Sequence, residues 1–209
     1  GCIENRVAAT AKESLIDGLP KTIEIDLDSD EMGMGIPCGG YMSVIVEPQM
    51  LNKTLLIRGM GGLTEILCKM ASLLKFKVIV QTPEDEKDRY PDAEKIITDS
   101  LEIEDIDFPV DFFILATHHR NDDRISLEAI KKGIPYVGVV ASAKKTGIIL
   151  EYLRKNGATE EELGCFFSPT GLELNAKTPE HIALSILSEM VMLTNGGSGK
   201  QKKIKSTTD

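Results

Sequence analysis

The chain has no C-x-x-C pair. Its four cysteines, Cys2, Cys38, Cys68 and Cys165, are widely scattered, which argues against a secreted disulfide framework and against a structural zinc site. No apolar run approaches the ~20 residues needed to cross a bilayer. Nor does a charged-then-apolar leader with a small-residue cleavage site open the sequence, so the cytoplasm is the expected compartment. Positive charge is in deficit: 24 Lys and Arg face 33 Asp and Glu, a formal net charge of −9. With a pI near 5.0, neither nucleic acid nor an anionic membrane surface is expected as the main partner. No Ser/His/Asp nucleophile set, no H-E-x-x-H pair and no internal repeat is present. The first residue is Gly rather than Met, which reads as a fragment, a processed product or a tag remnant.

What is present is a chain of 209 residues, long enough to bury a sizeable core and to form one domain plus an appendage. It is organised around Thr54–Thr64. A short aliphatic run stops at Gly59-Met60-Gly61 and passes into helical spacing at Leu63, Ile66, Leu67, Met70, Leu73 and Leu74, and Phe76–Val80 follows as a second buried strand. Such a βαβ unit opens a doubly wound sheet, and its glycine turn leaves backbone N–H groups at a helix N-terminus facing a phosphate. Gly59 and Gly61 match the first two glycines of G-x-G-x-x-G, with Gly62 beside them, but Thr64 stands at the third. The second strand ends in Gln81-Thr82, where an NAD site would carry an acid for the ribose. A Rossmann-like turn kept for its geometry, with no dinucleotide bound, is the alternative.

The remaining elements follow in order. Ile3–Leu15 reads as a helix stopped at Gly18, and Lys21–Leu27 as a half-solvated strand. Residues 32–40, with glycines at 33, 35, 39 and 40 and Pro37, deny regular structure and let backbone approach a ligand. Tyr41–Val46 is a strand. Thr82–Pro91 reads as a polar loop, Glu94–Thr98 as a short strand, and Asp111–Thr117 as a central strand ending at His118 and His119. Asp123 is expected to cap a helix to Lys132, followed by a strand over Pro135–Val140. Ser142 caps a helix to Asn156, Ala158–Leu163 reads as a short acidic helix and Cys165–Thr170 as a strand or extended segment. Thr178 with Pro179 opens a last helix. The expected architecture is α/β: a Rossmann-like parallel sheet with helices on both faces over 51–194, preceded by a small α+β domain over 1–50, with 195–209 a disordered tail.

Several side chains carry chemistry. Lys144 and Lys145 fall in the first turn of their helix, where cations oppose the dipole; a held anion explains them, and a solvated pair is the alternative. Thr117 and His118 lie at a strand end, on the rim where open α/β sheets take ligands, and His118 could shuttle a proton near neutral pH. Cys38, ahead of Gly39 and Gly40, suits a partly exposed thiolate able to bind a soft metal or carry sulfur. Cys68 on an apolar helix face and Cys165 at the head of an apolar run read as packing residues.

Six separated stretches, GCIENRV, IPCGG, LLIRGMGGL, ATHH, YVGVVASAKK and SPTGLELNAKTPEHIALSILSEMV, together resemble the XdhC/CoxI family, maturation factors of molybdenum hydroxylases such as xanthine and CO dehydrogenase. The resemblance spans residues 1 to about 193. It implies that 1–50 is a partial N-terminal domain of that family, missing residues that normally precede the first cysteine. It also implies a non-enzymatic chaperone that binds molybdenum cofactor (molybdopterin, with or without a dinucleotide extension). The cofactor would be shielded during sulfuration with a cysteine desulfurase and then delivered to an apo molybdenum hydroxylase. By motif, Cys2 with Glu4, and Cys38 with Gly39 and Gly40, occupy the two cysteine motifs, Cys38 being the metal-facing thiol. Gly59, Gly61, Thr117, His118, Ser142, Lys144, Lys145, Gly171 and Leu172 occupy Rossmann-domain positions. The family's arginine-rich segment is here Ala143-Lys144-Lys145, which keeps charge and loses bidentate geometry. The competing expectations are an NAD(P)-dependent oxidoreductase with His118 as acid/base, and an adaptor without cofactor. A homodimer or a companion polypeptide would complete the thin first domain.

Overall fold

The structure, a computed structural model, describes residues 2–26, 40–48, 52–100, 102–117 and 121–202, without the side chains of Cys2 and Asp26. The chain divides into two compact units, Gly1–Leu51 and Asn52–Asp209.

In the first unit, α1 (Cys2–Asp17) precedes an antiparallel pair, β1 (Lys21–Asp26) and β2 (Tyr41–Val46). The alternation read in β1 is the observed pleat: Ile23 and Ile25 are buried while Thr22 and Glu24 are exposed, as the two-residue period of a strand requires. α1 ends at Gly18 in the left-handed region, with φ 69°. There the buried Ser14 hydroxyl donates to the Leu19 carbonyl at 2.6 Å, tying the helix end to the start of β1.

The second unit is a six-stranded, wholly parallel sheet in the order β5-β4-β3-β6-β7-β8. Its strands are β3 (Thr54–Gly59), β4 (Lys77–Gln81), β5 (Lys95–Ile97), β6 (Phe112–Ala116), β7 (Val137–Val139) and β8 (Phe166–Phe167). The order reverses between β3 and β6, the position where doubly wound sheets open a crevice. Leu55, Ile57, Val78, Val80, Phe112 and Ile114 pack against α2 (Gly61–Leu73) and α5 (Pro179–Thr194). On the other face Leu56, Ile79, Phe113, Leu115 and Val139 meet α3 (Asp122–Lys131) and α4 (Ala143–Lys155). Burial on both faces is why these strands read as unbroken aliphatic runs.

Three expectations are corrected. Residues within the expected loop at 82–91 form a 3-10 turn, Glu84–Arg89. The helix expected from an Asp123 cap starts at Asp122 behind Asn121, whose φ is 73° and whose side chain makes no cap; Asp122 is instead bonded to Thr117 and Lys145. The acidic helix at 158–163 is a 3-10 turn, Glu162–Cys165. It opens on a reciprocal pair in which Thr159 N–H donates to Glu162 and Glu162 N–H to the Thr159 hydroxyl. Of the run read as a strand or extended segment, Phe166–Phe167 is β8, and beyond it both the Ser168 hydroxyl and Thr170 N–H donate to the Val139 carbonyl. Among the described residues no helix is long and apolar enough to cross a membrane.

Candidate functional site

The chemistry-bearing groups of the second unit gather at the C-terminal ends of β3, β4, β6 and β7. At β3, Gly59 ends the strand because nothing larger fits. A Cβ there would lie 2.5 Å from the Thr64 hydroxyl oxygen and 2.7 Å from the Ala116 carbonyl oxygen. Thr64, in the place of the third glycine, is fully buried and donates to the Met60 carbonyl at 3.2 Å. Gly61 turns the chain with φ 76°. Gly62 stands in open space.

The helix that follows has neither a side-chain cap at Met60 nor an acid in its first turn. Its Gly61 N–H donates instead to Glu86 Oε2 at 3.1 Å, from the turn after β4. Tyr90, almost wholly buried, points its hydroxyl at the same oxygen at 3.4 Å. Arg89 spans from Glu86 to Glu65 at 3.2 Å to each. Burial pushes the Tyr90 phenol up, with the Glu86 charge acting in the same direction. At the end of β4, Gln81 is buried and its amide donates to the Ser100 carbonyl at 2.9 Å, so the strand ends in an amide rather than in the carboxylate of an NAD site.

At β6 and α4 the sequence-expected Thr117, Ser142 and Lys145 come together. Asp122, only 3% exposed, accepts bonds from the Thr117 hydroxyl and from Lys145 Nζ. One carboxylate thus joins the β6 end to the starts of α3 and α4. Ser142 caps α4 through Lys145 N–H at 3.3 Å. Lys145 is therefore committed to Asp122, whereas Lys144 is exposed and has no ion pair among the described residues.

Beyond β7 lies a cleft of about 400 Å³ lined by Val140, Ala141, the 169–176 segment, Ile182 and Ser185. Its glycine, Gly171, has φ 107°, and a Cβ there would meet Ser185 Oγ at 2.4 Å. Gly171 N–H donates to Glu189 Oε2 at 2.9 Å. That oxygen also accepts the Tyr136 hydroxyl, which in turn lies 2.6 Å from the Thr170 hydroxyl. Tyr136 is buried, which raises its phenol well above the ordinary range, and Glu189 adds to the shift. Glu86 and Glu189 carry no sequence signal of this role; each lies far along the chain from the glycine it serves.

Cys38, Gly39 and His118 lie outside the described residues, as does the Cys2 side chain, although Cys2 begins α1. Gly40 has φ 145° just before β2. The packing cysteines behave as their positions suggest. Cys68 is buried, its thiol pushed up to about 12 by burial with a contribution from Asp92. Cys165 donates to the Glu162 carbonyl at 3.0 Å, and burial raises its thiol too.

A doubly wound parallel sheet with a glycine turn after its central strand and a cleft past its crossover defines a Rossmann-type domain. More narrowly, residues 55–190 match the model of the XdhC Rossmann domain, and the chain belongs to that family. It is 27% identical over 208 residues to the uncharacterized protein YqeB of Escherichia coli K12, covering 95% of this chain and 38% of that protein. It is 29% identical over 106 residues to a probable xanthine dehydrogenase subunit of Bacillus subtilis 168, covering 49% of this chain and 30% of that one. The chain thus spans less than two-fifths of either curated relative. A crystal structure described as a xanthine dehydrogenase from Bacillus halodurans shares the fold, with TM-score 0.60 and 23% identity over 98% of this chain and 83% of that one.

Proposed function

We propose that this chain belongs to an accessory protein of molybdenum hydroxylases of the xanthine dehydrogenase type, which holds molybdenum cofactor during sulfuration and passes it on. The observation that carries this reading is the XdhC family match over residues 55–190; the name of the B. subtilis relative points the same way. The partners are an apo-hydroxylase and a cysteine desulfurase.

The residues present suit such a guest. The cleft at Gly171 has about 400 Å³ of space and a wall of loop backbone from 169 to 176, which suits the hydrogen-bonding edges of a pterin. Ala141 in its wall leads within one residue into the start of α4, where Ser142 is the cap and Lys144, without an ion pair among the described residues, is a cation for a phosphate. The metal and sulfur chemistry is assigned to Cys38, with Cys2 as second thiol and His118 for proton transfer, since thiolate is the donor that soft metal–sulfur chemistry takes. Bound cofactor would supply the metal to which sulfur is added. The protein's part is to bind, orient and shield.

The test is to co-express the chain with a cofactor supply and its hydroxylase, and to measure bound molybdenum and oxidised-pterin fluorescence. Wild type should carry both; Lys144→Ala should lose pterin, and Cys38→Ser should lower the sulfurated fraction of the hydroxylase. Protein free of pterin, with normal hydroxylase maturation by Cys38→Ser, overturns the reading.

A further inference from the structure

We infer that Glu86 is a built-in anion that fills the phosphate position of the Gly59–Gly61 turn, so that this Rossmann-type domain rejects dinucleotides at the place where its fold would take them. Such a closed turn goes beyond the accessory role and does not depend on it.

Three observations carry it. First, the N–H that would face a pyrophosphate, that of Gly61 at the start of α2, already donates to Glu86 Oε2 at 3.1 Å. The carboxylate is held by Tyr90 and Arg89 as well. It supplies the negative charge that the uncapped helix, without an acid of its own in the first turn, otherwise lacks. Second, the first glycine of the turn is consumed by the fold. Gly59 makes room for the Thr64 hydroxyl and the Ala116 carbonyl, and Thr64 occupies the third-glycine place from within the core. Third, β4 ends in Gln81 where an NAD site carries an acid, and Gln81 spends its amide on the Ser100 carbonyl. A dinucleotide would have to displace a bonded carboxylate, approach its negative charge, and meet an amide rather than an acid at the end of β4.

The mimicry is chemical. A carboxylate oxygen at a helix N-terminus satisfies the same orphan donor and the same dipole that a phosphate oxygen would. Glu86 reaches this position from the 3-10 turn Glu84–Arg89, packed beside α2. The domain therefore keeps the architecture of nucleotide binding while using its phosphate point for internal capping.

The experiment titrates the full chain with inorganic pyrophosphate and with NAD by calorimetry, and follows the Gly61 amide by NMR. In wild type neither probe should give saturable heat, and the Gly61 amide should not move. Glu86→Ala should gain pyrophosphate binding at least about tenfold tighter than wild type, with the Gly61 amide shifting on titration. Glu86→Gln, which keeps an acceptor and removes the charge, should fall between them and serves as the reading if the alanine variant does not fold. Saturable binding of either probe to wild type through Gly61, or no gain of pyrophosphate binding in the substituted proteins, overturns the inference. Loss of hydroxylase maturation is a separate readout and leaves it untouched.

Discussion

The two glycine loops on the sheet rim use one device to opposite ends. At Gly61 and at Gly171 a glycine in the left-handed half of φ donates its N–H to a glutamate oxygen that also takes a tyrosine hydroxyl, from Tyr90 in one case and Tyr136 in the other. At Gly61 the carboxylate sits over the helix N-terminus and closes it. At Gly171 the carboxylate comes from α5, and neither Glu189 nor Tyr136 lines the cleft. The second loop is braced from behind and its ligand side stays open. An internal carboxylate therefore stabilises a glycine loop in either place, and the direction from which it arrives decides whether the loop can still bind.

The largest effect is expected at the closed end. Gly59→Ala places a methyl against Thr64 and the Ala116 carbonyl, and a backbone atom cannot swing aside. It should cost about 3 kcal/mol or more in urea unfolding. Gly62→Ala, in open space on the same turn, should instead raise stability by about 0.5 kcal/mol; equal effects from the two would deny the packing account.

At the open end Gly171→Ala meets both a strained φ and Ser185 Oγ, and about 2–3 kcal/mol should be lost. Ser185→Ala should recover part of that loss. Between the two loops, Asp122→Ala removes the acceptor that Thr117 and Lys145 share. With Lys145 34% exposed by side chain, solvent screens the orphaned charge, and about 2 kcal/mol is expected rather than the full penalty of a buried pair. Thermal unfolding of the single and double substitutions with Lys145→Met should show non-additivity.

The smallest effect separates the loops by pH. Both phenols are raised above their ordinary value of 10.0, Tyr136 further than Tyr90. A group raised in the folded state contributes stability that is complete below its unfolded pKa and is lost as pH climbs beyond it. Stability should therefore hold to about pH 10 and decline above it. Tyr136→Phe, at about 1–2 kcal/mol in neutral solution, should remove more of that alkaline decline than Tyr90→Phe. An equal contribution from the two would mean that the braced loop is no drier than the closed one.

Much of this architecture is legible in the chain itself. The step from Leu55-Leu56-Ile57 through Gly59 into the helical spacing of Leu63, Leu67 and Met70 announces β3, the turn and α2 because period and punctuation are local properties. Ser142 and Thr178 as caps are equally local, each bonding an N–H three residues on. Glu86 and Glu189 are not legible in this way. They reach their glycines across 25 and 18 residues, through turns and helices whose mutual placement only packing decides. The same limit explains why Asp123 is the cap expected from sequence while its neighbour Asp122 is drawn into the rim by Thr117 and Lys145.

The hydroxyl of Thr64 resting in the hollow above Gly59 binds those two positions into one heritable unit. A lineage that acquired glycine at 64 would leave a vacancy beside the strand, and one that gave up glycine at 59 would have to evict the threonine first. Substitutions at 59 and 64 should therefore appear together in descendants of this chain.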